Sequence, residues 1–404
     1  MPVLYDFALQ GYRFVLRLAS IRNTKAHALL QGQKAVVHSF STLKKSRFWF
    51  HCASVGEFEQ AMPLIQLLQK SYPDDSILLS VYSPSGFRYI TQKHPALGVV
   101  YLPFDTKKNA TRFIDAVQPE LVFFIKYEFW FHFLTGLRQR NIPVFLVSGI
   151  FRASQPFFTW WGNLHRQMLA CFSMCFVQNE ESRRLLQSIG YRQTIVCGDT
   201  RFDRVMDLSL QVFSDERING FCGSSPVFVA GSIWNSDNPT LKKMLTQIPH
   251  TMKIILVPHE PEHYDISWLN EPYSVYSQFN TTDHRVLLID RMGLLSRLYR
   301  TAEFAYVGGG FGKGIHNILE AVVYAIPVCF GPVHQKFQEA RDLLAEGIAF
   351  DCSDDRFPEQ VNQFLNNKAV YDKISEKARR FMKQRTNVSQ RIMVLLKENN
   401  FLPE

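Results

Sequence analysis

The stretch FWFHCASVGEFEQAMPLIQLL (residues 48–68) contains the pattern on which the fold prediction rests. It begins as a continuous apolar run, which is typical of a strand buried on both faces of a parallel sheet. The run ends at Ser54-Val55-Gly56. Apolar residues with helical spacing follow at Ala61, Leu64, Ile65 and Leu68. The stretch therefore predicts a strand, a turn and a helix, which is the repeating unit of an α/β fold.

Glu57 is the carboxylate at the start of this predicted helix. A helix N-terminus favours negative charge, so one interpretation is that Glu57 caps the helix. The other is that Glu57 faces a cleft and takes a proton from a substrate. The local sequence leaves both roles open.

Strand and helix signals alternate along the rest of the chain. Strand-like runs in the first half occur at residues 47–53, 76–83, 98–103, 120–126, 143–149, 173–178 and 194–199. The pattern restarts with runs at residues 226–232, 253–259, 285–290, 303–309, 327–332 and 347–352. Open α/β sheets bind ligands at the carboxyl ends of their strands. The sequence therefore predicts two βαβ domains that face each other across a cleft.

The length of 404 residues also favours two domains, at roughly 100–200 residues per domain. We predict an N-terminal segment at 1–21, a first α/β domain at 22–205 and a second α/β domain at 206–385. The weakly patterned stretch 205–225 is interpreted as the linker. Residues 386–404 are predicted to form a helix that crosses back to the first domain.

The net charge of +9 indicates an anionic partner, such as nucleic acid, a membrane surface or a phosphorylated substrate. The basic residues are dispersed, and the chain has no nucleic-acid recognition signature. The seven cysteines include no CxxC pair, which favours reduced cysteines and a cytosolic protein and argues against a metal site.

The N-terminal residues VLYDFALQGYRFVLRLAS (3–20) predict an amphipathic helix. Asp6, Arg13 and Arg17 interrupt it, so it is neither a membrane-spanning helix nor a signal peptide. One helical face carries Leu4, Phe7, Ala8, Gly11, Phe14, Val15 and Leu18. A helix lying in a bilayer interface and a helix docked on its own domain both fit this pattern.

The segment VGGGFGKGIHNILEAVVYAIPVCFGP (307–332) is the strongest candidate ligand loop. Gly309 and Gly310 end a predicted strand, and a helix is predicted to open near His316-Asn317. Such a loop lets main-chain N–H groups approach a phosphate. The spacing matches neither a Walker A loop nor GxGxxG. Asn317 and Glu320 are predicted to share a helix face, where the carboxylate can accept two ribose hydroxyls.

Other predicted strand ends carry polar groups that the sheet edges would bring together. In the first domain they are Glu128, Asp199 and Arg201, and in the second they are Gly231, Ser232, His259, Glu260 and His263. Arg201 could also pair with Asp199 or Asp203.

Together these motifs resemble the 3-deoxy-D-manno-octulosonic acid (Kdo) transferases. The motifs are Ser54-Val55-Gly56-Glu57, Glu128-Phe129-Trp130, the Gly-x-x-Arg-Phe-Asp element at 198–203, Ala230-Gly231-Ser232 and His316-Asn317-x-x-Glu320, in that order. The resemblance implies the GT-B glycosyltransferase fold, with two Rossmann-like domains and a membrane-associated N-terminal helix. It also implies inverting transfer of Kdo from CMP-Kdo to the lipid A precursor at the cytoplasmic face of the bacterial inner membrane.

The resemblance makes 22–205 the acceptor-binding domain and 206–385 the CMP-sugar-binding domain. It also assigns roles to individual residues. It makes Glu57 the general base and Glu128 and Arg201 the groups that support the transition state. It assigns CMP binding to Ser232, Pro258, His259, Met292, Gly293, Leu294, Gly309, Gly310, Asn317, Ile318, Leu319 and Glu320. No metal or other cofactor is expected, because CMP is already a good leaving group.

The chain departs from the family pattern at four places. Lys126-Tyr127-Glu128 stands where Glu-x-Glu is frequent, and Asp199-Thr200-Arg201 replaces Asn-Leu-Lys. His259 stands where arginine is common, and Ile315 stands where glycine is usual. These departures indicate a divergent branch of the family rather than a different reaction. Two alternatives remain: a GT-B transferase that uses another nucleotide sugar on a lipid acceptor, and a membrane-surface or nucleic-acid binding protein with a vestigial cleft.

Overall fold

The computed structural model describes residues 2–279, 283–354 and 356–403. The chain forms two compact α/β units. One contains residues 1–204 and 387–404, and the other contains residues 205–386.

The first unit is built on a parallel sheet of seven strands. The strands are β1 (Phe48–Cys52), β2 (Ile77–Val81), β3 (Gly98–Tyr101), β4 (Leu121–Ile125), β5 (Val144–Gly149), β6 (Met174–Val177) and β7 (Thr194–Val196). Their order across the sheet is β3-β2-β1-β4-β5-β6-β7. The helices are α1 (Pro2–Ala19), α2 (Thr24–His38), α3 (Val55–Ser71), α4 (Pro84–Lys93), α5 (Lys107–Val117), α6 (Phe131–Gln139), α7 (Asn163–Leu169) and α8 (Glu180–Ser188). All seven strands predicted for this half are confirmed.

Aromatic side chains fill both faces of this sheet. On one face Trp49 packs with Phe113, with ring centroids 5.0 Å apart. On the other face Phe50 stacks on Phe123 at 4.6 Å. Successive strand residues point to opposite faces, so a strand covered on both faces has to be apolar throughout. This explains the continuous apolar run at residues 48–53.

The second unit is built on another parallel sheet of seven strands. The strands are β8 (Val227–Ile233), β9 (Lys253–Pro258), β10 (Tyr273–Val275), β11 (Val286–Leu288), β12 (Phe304–Val307), β13 (Val328–Phe330) and β14 (Ala349–Asp351). Their order is β10-β11-β9-β8-β12-β13-β14. Six of these strands were predicted, and β10 was missed.

The helices of the second half include two in the stretch interpreted as a linker. The helices of this half are α9 (Arg201–Leu210), α10 (Glu216–Cys222), α11 (Asn238–Leu245), α12 (Leu295–Leu298), α13 (Leu319–Val322), α14 (Gln338–Ala345), α15 (Phe357–Asn366) and α16 (Lys368–Arg385). Of these, α9 and α10 overlap the stretch 205–225. Helices therefore occupy much of the stretch 205–225, and the boundary between the two units lies at its start. Asp215 caps α10 by accepting hydrogen bonds from the main-chain N–H groups of Arg217 and Ile218, a local signal for a helix start.

The C-terminal helix α17 (Val388–Glu398) belongs to the first unit. The Asp203 carboxylate accepts hydrogen bonds from the N–H groups of Val388 at 3.1 Å and Ser389 at 2.7 Å. These bonds satisfy two donors at the start of the helix. Ile392 and Leu396 then pack into the core on the Phe50 face of the sheet.

Helix α1 docks on the first unit along one side only. Tyr5 donates a hydrogen bond to Asp105, His132 pairs with Asp6 at 2.6 Å, and the hydroxyl of Tyr12 meets that of Tyr82 at 2.6 Å. The opposite side carries exposed apolar residues, namely Val3, Leu4, Phe7, Phe14, Val15 and Leu18. The helix is thus docked on its own unit and still presents the apolar face that the sequence predicted.

No helix in the described ranges has both the length and the apolar character that crossing a bilayer requires.

Candidate functional site

The predicted catalytic residues lie after three strands of the first sheet. Glu57 is in the first turn of α3, after β1, and Glu128 follows β4. Arg201 is the first residue of α9, which follows β7. Because all seven strands are parallel, these residues lie at the same edge of the sheet. This carboxyl edge is the first candidate site.

Glu57 takes part in the cap of α3. Its main-chain N–H donates to the Ser54 hydroxyl at 3.4 Å, and its carboxylate accepts a hydrogen bond from the N–H of Ala53 at 2.5 Å. Ser54 is therefore the N-cap residue, and the Glu57 carboxylate binds the main-chain N–H group that precedes it. One carboxylate oxygen has this role, and a carboxylate has further lone pairs that can accept another proton donor.

The surroundings of Glu57 suit a general base. The pKa of Glu57 is raised to about 6, first by burial and then by the charge of the neighbouring Glu128. His51, the Ala53 N–H and Lys126 oppose this shift. A base with a pKa close to neutral pH is both mostly ionised and able to hold a proton.

Glu128 is held by two side chains that the sequence argument missed. Its Oε2 accepts a hydrogen bond from Trp130 Nε1 at 2.8 Å and lies 3.2 Å from His51 Nε2. The other imidazole nitrogen of His51 faces the main-chain oxygen of Ser80 at 3.1 Å. His51 is fully buried in β1. A histidine inside a continuous apolar strand was the available signal, because a buried polar group needs partners.

Arg201 pairs with Asp199, as the alternative interpretation proposed. Its Nε and Nη2 lie 2.8 Å and 2.7 Å from Asp199 Oδ2. Gln60 donates to the other oxygen of this carboxylate at 2.8 Å. Burial by itself would raise the pKa of Asp199, but Arg201 and then Lys126 hold it below its ordinary value. The guanidinium is therefore fixed at the carboxyl edge, and its role in the transition state stays a prediction.

Two residues at this edge adopt left-handed backbone conformations. Lys126, directly after β4, has φ of 61°, and Ser148 in β5 has φ of 54°. Non-glycine residues in this region cost of order 1–3 kcal/mol and are concentrated at functional sites. Ser148 is held there by its hydroxyl, which accepts from the N–H of Thr200 at 3.1 Å.

The predicted CMP-binding residues follow strands β8, β9, β11 and β12 of the second sheet. Ser232 is the penultimate residue of β8 and has φ of 52°, and Pro258 and His259 lie at the end of β9. Met292, Gly293 and Leu294 lie between β11 and α12, and Gly309 and Gly310 follow β12. These residues lie at the carboxyl edge of the second sheet, where ligands of such folds bind.

The glycines of this loop are explained first by packing within the unit. A Cβ on Gly310 would lie 2.6 Å from the main-chain nitrogen of Gly331, and Gly309 has φ of +90°. A Cβ on Gly231 would lie 2.1 Å from the Tyr299 hydroxyl. The glycine-rich turn is therefore needed by the fold, whether or not it also binds phosphate.

Asp237 organises this second site and was missed by the sequence argument. Its Oδ2 accepts hydrogen bonds from the N–H groups of Trp234 at 2.7 Å and Gly309 at 3.1 Å. Its Oδ1 accepts from the Tyr306 hydroxyl at 2.8 Å. Asp237 is fully buried. A single carboxylate thus joins the chain after β8 to the glycine loop after β12.

His259 lies in a stack of three rings. Its ring is 4.2 Å from that of His316 and 4.6 Å from that of Trp234. Trp234 Nε1 donates to His316 Nε2 at 2.8 Å. Burial, and then His259, lower the pKa of His316 to about 4, so His316 is neutral at pH 7. The stack provides a flat aromatic wall beside the glycine loop.

The Asn317–Glu320 pair forms as predicted, but the helix starts later. Asn317 Nδ2 donates to Glu320 Oε1 at 3.0 Å. Helix α13 begins at Leu319, two residues after Asn317 and close to the predicted start. Asn317 Oδ1 is buried and has no hydrogen-bond partner among the described residues. The side chains of Ile318 and Leu319 are fully buried, so only their main chain can contact a ligand.

In the same described ranges, no three histidine, cysteine, aspartate or glutamate side chains are grouped so that they could hold a metal ion.

Comparison with known proteins supplies the family context. Residues 22–204 match the family model described as 3-deoxy-D-manno-octulosonic-acid transferase (kdotransferase). The 3-deoxy-D-manno-octulosonic acid transferase of Haemophilus influenzae is 26% identical over 94% of this chain and 93% of its own length. The Aquifex aeolicus protein of the same name is 26% identical over 83% of this chain and 90% of its own.

A bifunctional glycosyltransferase/methyltransferase of Fusobacterium nucleatum is also 26% identical, over 85% of this chain. The match spans only 56% of that longer relative.

Solved structures share the fold at low identity. UDP-GlcNAc 2-epimerase from Neisseria meningitidis superposes with a TM-score of 0.62 at 16% identity, covering 87% of this chain and 99% of the epimerase. Acinetobacter baumannii MurG superposes with a TM-score of 0.52 at 14% identity, covering 87% and 99%. The shared fold is GT-B, with its two α/β units.

Proposed function

We propose that this chain, a glycosyltransferase similar to the Kdo transferases, transfers Kdo from CMP-Kdo to a lipid A precursor. The observation that carries the proposal is the geometry of Glu57. A half-buried carboxylate with a raised pKa lies at the carboxyl edge of the first sheet, beside a second carboxylate held by Trp130 and His51.

The proposed reaction is a single displacement that inverts the anomeric carbon. The acceptor hydroxyl attacks that carbon, and its proton passes to Glu57. The bond from the anomeric carbon to the CMP phosphate oxygen breaks, and CMP leaves with the electron pair. Positive charge develops on the sugar ring as in other glycosyl transfers. Glu128, fixed by Trp130 and His51, supplies a negative charge that stabilises it.

The second unit is proposed to hold the CMP part of the donor. Asn317 Oδ1 has no partner among the described residues and can accept a hydrogen bond from the nucleotide. The glycine loop after β12 offers main-chain N–H groups to the phosphate, and the His259 ring offers an apolar face. No metal is proposed, because CMP is a good leaving group without one.

A turnover assay tests this function directly. Purified protein is mixed with lipid A precursor and with CMP-Kdo generated in situ, and the product is identified by mass. UDP-GlcNAc replaces CMP-Kdo in a parallel reaction. A mass gain of one or more Kdo units supports the proposal. Transfer from UDP-GlcNAc and none from CMP-Kdo would favour the alternative of another nucleotide sugar.

The pH dependence of turnover is expected to depend on Glu128. A protonated Glu57 cannot act as a base, so kcat/KM is expected to fall as pH falls through about 6, which gives the pH profile an acid limb there. The Glu128 charge raises the pKa of Glu57. Glu128→Gln removes that charge, so the acid limb is expected to move to lower pH.

The measurement is kcat/KM from pH 5 to 8 for the wild type and Glu128→Gln. A limb that stays in place, or moves to higher pH, would contradict the assignment of Glu57 as the group that titrates. A lower maximal kcat/KM in Glu128→Gln, together with the predicted shift of the acid limb, agrees with this assignment.

We further propose that α1 lies on the cytoplasmic surface of the bacterial inner membrane, through its exposed apolar face. Phe7 and Phe14 are 68% and 62% exposed there. Phe7→Ser with Phe14→Ser is expected to weaken binding to lipid vesicles at least tenfold, because two large apolar side chains lose their burial in the bilayer.

Vesicle cosedimentation measures this effect, with Val212→Ser as the control. Val212 is 95% exposed and lies in the second unit, so its change should leave binding unaltered. Full binding by the double variant would contradict an interfacial role for α1.

A further inference from the structure

A cavity with a volume of about 540 Å³ lies between α1, α2 and the start of α5. Four basic side chains line it: Arg13 and Arg17 from α1, Lys34 from α2 and Lys108 from α5. Leu30 and Phe104 are among its apolar lining. We call this cavity the basic groove.

The four cations of the basic groove are not neutralised by the described part of the chain. No aspartate or glutamate is among the residues that line the groove, and none of the four takes part in an ion pair among the described residues. Arg13 lies over the Phe104 ring at 5.4 Å. Burial, and then the Arg17 charge, lower the pKa of Arg13. Four like charges around one cavity repel each other until an anion enters.

The position of the groove beside α1 indicates which anion it meets. Arg13 and Arg17 directly precede Phe14 and Leu18 in the sequence, and those two side chains belong to the exposed apolar face. When that face lies among acyl chains, the two arginines reach the level of the lipid head groups. An anion with an attached apolar portion also suits a lining of cations with Leu30 and Phe104.

We propose that the basic groove binds the phosphate of an anionic phospholipid of the bilayer on which α1 lies. The groove would hold one head group by several charge-assisted hydrogen bonds, which a diffuse basic surface does not do. The proposal rests on the membrane position given under the proposed function. It adds a discrete site with a defined ligand chemistry.

The test compares two double variants that change the net charge equally. Lys34→Gln with Lys108→Gln removes two groove cations, and Lys70→Gln with Lys93→Gln removes two exposed lysines of α3 and α4. Binding is measured to phosphatidylcholine vesicles with and without phosphatidylglycerol. The groove variant is expected to lose about thirtyfold in affinity for the anionic vesicles, at the usual contribution of each basic residue near such a surface. The lysine control is expected to lose less than threefold.

Equal losses in the two variants would overturn the proposal, because binding would then depend on total charge alone. No loss in the groove variant would also overturn it. If the groove variant raises only the KM for the lipid acceptor in phospholipid-free detergent, the ligand is the acceptor's own phosphate. That result would overturn the assignment to bilayer phospholipid.

The same variants separate this site from the proposed reaction. Transfer of Kdo to acceptor dispersed in detergent is expected to remain at the wild-type rate in the groove variant. If the wild type itself transfers no Kdo, the proposed function is wrong, while the vesicle comparison still decides whether the groove binds lipid.

Discussion

Replacing Glu57 by glutamine is expected to lower kcat by about a hundred- to ten-thousandfold, the usual contribution of a general base. Glutamine cannot take the proton of the acceptor hydroxyl. It can still accept the hydrogen bond from the Ala53 N–H through its Oε1, so the cap of α3 is retained. The variant should therefore fold and bind both substrates while turnover is lost.

The stability of this variant provides an independent check. The pKa of Glu57 rises from 4.5 to about 6 on folding, so the folded state holds the proton more tightly than the unfolded state. The stabilisation from this group is complete below about pH 4.5 and is lost as pH rises through 6. Glutamine carries no such pH dependence. At pH 7 the variant is therefore expected to unfold at the same temperature as the wild type, or at a higher one.

Glu181→Gln is the matched control for the kinetic experiment. Glu181 is also in the first turn of a helix, α8, but it is exposed and shows no contact with the Glu57 carboxylate. Its change should leave kcat unaltered. A Glu57→Gln variant that keeps more than a third of the wild-type kcat would show that Glu57 only caps its helix.

The sequence predicted the strands well because of how they are buried. Strands β1, β4 and β5 are buried along their whole length, so nearly all of their residues are apolar and the strands could be recognised from the sequence. Strand β10 has only three residues, one of them exposed, at the edge of its sheet. An edge strand of this kind has no such constraint, and its sequence carried no comparable signal.

The site was predicted at the level of residue type, and its supporting contacts were not. Glu57, Glu128 and Arg201 were found because polar residues after buried strands are conspicuous. The contacts of Glu128 with His51 join residues 77 positions apart. The contact of Asp237 with Gly309 spans 72 positions. Such pairs depend on the order of strands in the sheet, which the local pattern does not specify.

Removing the Asp237 carboxylate is expected to destabilise the second unit by about 3–5 kcal/mol, because three buried donors lose their acceptor. Asp237→Ala leaves the N–H groups of Trp234 and Gly309 and the Tyr306 hydroxyl without their acceptor. Each buried donor left unsatisfied costs about 1–3 kcal/mol. The change also releases the glycine loop and the Trp234 ring, so CMP binding is expected to fall more than tenfold.

Asp237→Asn is expected to have a much smaller effect than Asp237→Ala. Its Oδ1 can accept from the two main-chain N–H groups, and its amide can donate to the Tyr306 hydroxyl, which is able to accept. Tyr306→Phe removes one of the three hydrogen bonds and is expected to cost about 1 kcal/mol. The loss of stability is therefore expected to decrease in the order Asp237→Ala, Tyr306→Phe, Asp237→Asn, because only Asp237→Ala leaves all three donors without an acceptor.

Chemical denaturation and CMP titration of the three variants measure this order, with Asp372→Ala as the surface control. Asp372 is exposed on α16 and lies 3.9 Å from Lys368, so its loss should cost no more than about 0.5 kcal/mol. If Asp237→Ala were as stable as this control, the carboxylate would not organise the loop. If it lost stability but bound CMP normally, the glycine loop would not be part of the nucleotide site. Loss of both, with Asp237→Asn close to the wild type, is the expected result, because the loop conformation and the ligand then depend on the same three donors.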